Sequence, residues 1–173
     1  MIHSAMASNL PLQTDTIQQR RLKAATAGWL DGLRWHLAVT LVWNRGVGMM
    51  RARSDLKNLM GRVDRELVGS HFPRLASERR TEAVFAFEGL RHDHVHVHSL
   101  WKAPAGRWFD LGKMFHGKRG GVWNDVVESG SYDVEPCNWV GGNMEIVGYV
   151  LKQQHRFSDA DLMVWASDFH RAR

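Results

Sequence analysis

Glu82-Ala-Val-Phe-Ala-Phe-Glu-Gly-Leu-Arg-His-Asp-His-Val-His-Val-His-Ser-Leu-Trp-Lys102 decides how this 173-residue chain is read. Residues 82–89 and 94–102 each read as a strand, rich in β-branched and aromatic side chains. Only four or five residues separate them, which predicts an antiparallel hairpin. Within it, His92, His94, His96 and His98 stand at every second position. Alternate side chains of a strand share a face, about 6.6 Å apart, so these imidazoles point the same way. Such a face makes a poor core, because each buried ring must satisfy two polar nitrogens. A metal ion is the occupant this pattern suggests. Both His94 with His96 and His96 with His98 are acceptable ligand pairs.

Working outward, Trp35–Trp43 reads as a buried strand and Asn44-Arg-Gly-Val-Gly48 as a loop. Residues 51–69 predict a helix, with Leu56, Met60, Val63 and Leu67 at 4-3-4 spacing. Upstream, residues 1–13 read as a loose tail, and 14–173 as one domain. Asp15 can cap a helix reaching about Leu33, with Leu22, Ala25, Trp29 and Leu33 as its apolar stripe. Downstream, residues 71–80 form a connection and Pro104 ends the third strand. A helix over 107–119 would carry Trp108, Leu111 and Phe115, and Gly117-Lys-Arg-Gly-Gly121 would be a basic loop. One or two short strands fall in 122–134. Asn143 can cap a helix from Met144 to about Gln154. A last helix is expected from Ser158 to about Arg171, since Asp161 follows Ser158 in a capping-box arrangement. The order predicts an α+β fold, a central antiparallel sheet flanked by helices.

Eight Trp and seven Phe supply core mass, and the formal net charge is +5. Arg leads the basic set, and its planar fork suits phosphate, which favours an anionic partner such as nucleic acid. The single Cys137 excludes an internal disulfide and fits a reducing compartment. No run approaches the roughly 18 apolar residues of a membrane span, and no signal peptide is visible at the N-terminus.

The helix from Met144 carries the second chemical feature. Ile146, Val147, Val150 and Leu151 define its apolar side. Tyr149 falls away from the centre of that stripe, with Lys152 beside it one turn on. A strand His-x-His, a carboxylate on the neighbouring strand and a later helical Tyr-x-x-Lys together resemble the signature of the HUH endonucleases. The chain is similar to their single-tyrosine rolling-circle replication initiators over about residues 35–155. Ala38-Val-Thr-Leu-Val-Trp43 resembles their first motif. His96-Val-His98 with Ser-Leu-Trp-Lys-Ala-Pro104 resembles the second, and Tyr149-Val-Leu-Lys152 the third.

The resemblance implies an RRM-like, ferredoxin-like sheet and a site with assigned roles. Glu88, His96 and His98 would hold Mg²⁺ or Mn²⁺, with His94 as a further candidate ligand. Tyr149 would be the nucleophile and Lys152 a group that holds the phosphate. Apart from the resemblance, the Arg45 loop and the Lys118-Arg119 loop are candidates to contact DNA, as are the Trp101 and Trp108 rings, which could stack on unpaired bases. The partner implied is single-stranded DNA at a replication origin, with a separate helicase and a host polymerase. The setting would be a bacterial cytoplasm, or a host nucleus for a eukaryotic viral source. Two alternatives share these residues: a single-tyrosine transposase of the same superfamily, and a non-catalytic nucleic-acid-binding module. The metallo-β-lactamase order His-x-His-x-Asp-His fails, because Asp93 precedes the pair.

Overall fold

Five short segments pair into one sheet, and the alternation of side chains along each strand dictates what covers each of its faces. The computed structural model describes residues 17–89, 95–116, 121–137, 144–151 and 163–169. The strands are β1 (Leu37–Val42), β2 (Glu82–Glu88), β3 (His96–Lys102), β4 (Ser131–Pro136) and β5 (Met163–Trp165). Their order is β4-β1-β3-β2-β5, with every neighbouring pair antiparallel. Helices flank this sheet, so the expected α+β architecture is the observed one. The expected hairpin is β2–β3, with Glu88 opposite His96 and Ala86 opposite His98.

One face carries Val39, Leu41, Phe85, Phe87, Val97 and Trp101. It is covered by α2 (Met49–Val68), α3 (Trp108–Phe115), α4 (Gly121–Asn124) and α6 (Ala166–Phe169). The other face carries Val84, Ala86 and Leu100 beneath α1 (Ile17–Asp31) and α5 (Met144–Val150). In α2, the predicted Leu56, Met60, Val63 and Leu67 are all buried. Two buried carboxylates pin this helix. Asp55 accepts from Trp43 Nε1 at 2.9 Å and from Arg51 Nε at 2.9 Å. Asp64 accepts from Arg80 Nε at 3.0 Å and from the Thr81 N–H at 2.9 Å. Burying a carboxylate is costly unless charge and hydrogen bonds meet it. Both are met here, at the ends of β1 and β2. Gly121 opens α4 at φ +74°, and a Cβ there would lie 2.6 Å from the Phe115 carbonyl oxygen, so this joint requires glycine.

Several expectations need correction. The buried side of α1 is Ala27 and Leu30, with Ala25 exposed and Trp29 56% exposed. Its Ala27 and Leu30 side joins the cluster shared with α5 and the sheet, while Trp29 packs at the rim against Trp165, centroids 5.3 Å apart. Trp108 also leaves the core at 57% exposure, whereas Leu111 and Phe115 enter it. The stretch 122–134, expected to hold one or two short strands, holds the start of one, β4, after the helical turn α4. The expected last helix is replaced over its middle by β5 and the four-residue α6. Without β5, β2 would be an edge with unpaired backbone groups over a buried face. Met163-Val-Trp165 supplies those partners and, by alternation, buries Val164 on one face while Met163 and Trp165 pack on the other. Asp168 then accepts the Trp165 N–H at 3.0 Å, capping α6. Residues 1–16, with the expected tail and the Asp15 cap, lie outside the described residues, as do Asn143, Ser158 and Asp161.

Candidate metal centre and active site

The three central strands place four polar side chains on one patch. β3 sits between β1 and β2, with Thr40 opposite His98 on one side and Glu88 opposite His96 on the other. Alternation puts all four on the α1–α5 face, above the apolar floor of Val84, Ala86 and Leu100. Glu88 Oε2 lies 2.8 Å from His98 Nε2 and 3.1 Å from His96 Nε2. The two rings meet edge to face, centroids 5.2 Å apart. One ligand atom from each of Glu88, His96 and His98 falls within 4.8 Å of the others. Two imidazole nitrogens and a carboxylate oxygen at that spacing fit a divalent cation, with coordination positions left for other ligands. Burial pushes the Glu88 carboxyl upward, but its hydrogen bond to His98 and the adjacent His96 outweigh this and hold it below the usual range. His98 is 5% exposed, and its other nitrogen, Nδ1, lies 3.0 Å from Thr40 Oγ1.

Tyr149 reaches the same patch from α5. That helix buries Val147, Val150 and the following Leu151, leaving Tyr149 at its margin, 53% exposed. The Tyr149 ring stands edge to face on His98, centroids 4.8 Å apart. A cleft of about 420 Å³ opens beside the pair, walled by Thr40, His98, Tyr149, Asp133, Glu135 and Glu145. The other tyrosine, Tyr132, donates its hydroxyl to the Phe115 carbonyl and packs against the opposite core. Of the two tyrosines, Tyr149 alone faces the imidazoles.

The other candidates divide. Trp101 does not contact solvent: it is fully buried, donates Nε1 to Ser99 Oγ at 2.8 Å and packs edge to face on Phe85 and Phe115. It is a core residue, because three positions from His98 is the opposite face of a strand. Arg45 is exposed in the loop after β1, three residues beyond the Val42 that pairs with His96. His94, Lys118, Arg119 and Lys152 lie outside the described residues. Sequence reasoning gave no role to Thr40 or to the carboxylates Asp133, Glu135 and Glu145. Their approach to His98 and Tyr149 depends on strand register across β4, β1 and β3. Burial, then Glu135, push the Cys137 thiol up to about 12.

Among the described residues, no helix is long and apolar enough to cross a membrane. No protein-family model, curated protein or solved structure matches this chain.

Proposed function

We propose that the protein nicks and rejoins single-stranded DNA through a 5′-phosphotyrosine at Tyr149, as an HUH-type rolling-circle replication initiator. The observation that carries this reading is the Tyr149 ring packed on His98, itself one of three side chains whose ligand atoms lie within 4.8 Å of one another. A tyrosine so placed, exposed and beside an imidazole–carboxylate cluster, can meet a phosphodiester that the cluster orients. The Tyr149 oxygen attacks phosphorus, the bond from phosphorus to the 3′ oxygen breaks, and a free 3′ hydroxyl departs. Attack by that or another 3′ hydroxyl reverses the step and releases the tyrosine. Mg²⁺ or Mn²⁺ held by Glu88, His96 and His98 would supply charge neutralisation on the non-bridging oxygens. Lys152 would assist there by resemblance. Asp133, Glu135 and Glu145 wall the cleft and repel phosphate, so the scissile group belongs at the imidazole end. The partners that follow are an origin strand, a separate helicase and a host polymerase.

The test is incubation of the full chain with single-stranded oligonucleotides and Mn²⁺, followed by denaturing electrophoresis and mass mapping. A covalent adduct at Tyr149 is expected. Tyr149→Phe should abolish adduct and cleavage while leaving strand affinity nearly unchanged, because only the attacking oxygen is lost. An adduct at Tyr132, or cleavage that survives Tyr149→Phe, would sink the assignment.

A further inference from the structure

We propose that Thr40 is a positioning residue for the cation site: its hydroxyl fixes the His98 ring with Nε2 turned toward Glu88 and His96. This rests on reading Glu88, His96 and His98 as the ligand set. An imidazole that ligates through Nε2 carries its proton on Nδ1, and that N–H needs an acceptor in a buried setting. Thr40 Oγ1 stands 3.0 Å from His98 Nδ1. His98 is 5% exposed, so solvent is a poor substitute.

The choice of threonine is informative in two ways. Its hydroxyl both donates and accepts, so it can serve His98 whether Nδ1 bears a proton or a lone pair. In the observed geometry Nε2 faces a carboxylate oxygen at 2.8 Å, which accepts and cannot donate. A hydroxyl that rotates can meet Nδ1 without backbone movement. Threonine is also stiff at χ1 and sits on β1, a central strand paired on both sides. The ring is held against the middle of the sheet.

The experiment compares the full wild-type chain, Thr40→Val, Thr40→Ser and His98→Ala. Mn²⁺ binding is measured by titration calorimetry, and the His98 ring nitrogens by long-range ¹H–¹⁵N NMR with saturating Zn²⁺. Thr40→Val keeps the branched shape and should weaken Mn²⁺ binding by roughly 10–100-fold. Thr40→Ser should bind close to wild type. In the wild type with Zn²⁺, His98 Nδ1 should carry the proton. Wild-type affinity in Thr40→Val, or Zn²⁺ bound through Nδ1, overturns the proposal. The NMR arm needs no variant, so a Thr40→Val chain that fails to fold does not remove the test. A different outcome, equal Mn²⁺ binding by wild type and His98→Ala, removes the cation site itself and the proposed function with it.

Discussion

His36 shows what one side chain can impose on the stability of this protein. Its Nδ1 accepts the Ala103 N–H at 2.8 Å, its own N–H donates to the Trp101 carbonyl at 2.8 Å, and its carbonyl accepts from Cys137 at 2.9 Å. Burial, then nearby Lys102, hold its pKa below the ordinary 6.5. A group whose folded pKa is depressed binds its proton more readily in the unfolded chain. Its contribution is therefore complete above pH 6.5 and is lost as pH falls from there toward the folded value. Urea midpoints measured from pH 7.5 down to pH 5 should decline, and His36→Asn should flatten that decline. Asparagine offers Oδ1 in place of Nδ1 but does not titrate. An unchanged slope in His36→Asn would remove His36 as the cause. Glu88 obeys the same sign in a lower window: its depressed pKa gives stability that is present above 4.5 and lost as pH falls below it.

Among the elements, β3 is the one whose two sides do different things. His98 faces the cleft and His96 stands on the same side of the strand, while Val97 and Trp101 face the core. Trp101→Ala should cost about 3–5 kcal/mol of unfolding free energy, as for other buried tryptophans, readable by chemical denaturation. Single-stranded DNA affinity measured where that variant remains folded should match wild type. A selective loss of affinity would place Trp101 in the interface after all. The burial of Trp101 was legible in advance, since residues three apart on a strand lie on opposite faces. The stacking role assigned to it ignored the parity that identified the histidine face. The β2–β3 hairpin and α2 were legible because each writes its period over seven or more residues. β5 was not, because three residues carry no readable period and the Ser158–Asp161 spacing argued for a helix. The orientation of α1 was obscured in the same way, since Ala27 and Leu30 gave a weaker stripe than the one containing Trp29. Glu88 with His96 and His98 could be proposed from spacing. The Thr40–His98 contact could not, since it joins residues 58 apart through a register that only the paired sheet fixes.

Across the whole molecule, the site takes one residue each from β1, β2 and α5 and two from β3, so it exists only once the sheet has closed. On the proposed function, strand binding would draw on a wider surface, because phosphate contacts position nucleic acid without reading sequence. The formal charge of +5 favours such contacts. Lys118→Ala with Arg119→Ala should weaken binding and lower the salt slope by up to about two charges' worth, measured by filter binding across a salt series. An unchanged slope would exclude that pair. In β1, β2 and β3, positions 40, 88, 96 and 98 form the candidate site, while 39, 41, 85, 87, 97 and 101 pack the opposite face. The two sets interleave in sequence yet hardly touch in space, being separated by the thickness of the sheet. Chemistry and foldability are therefore free to drift apart over generations. A descendant could trade its imidazoles for apolar side chains and still fold, since replacing a well-paired polar cluster by hydrophobic groups is often neutral or stabilising. A one-residue slip of β3 against its neighbours would do the reverse, sending histidines inward and Trp101 outward, and would cost fold and site together.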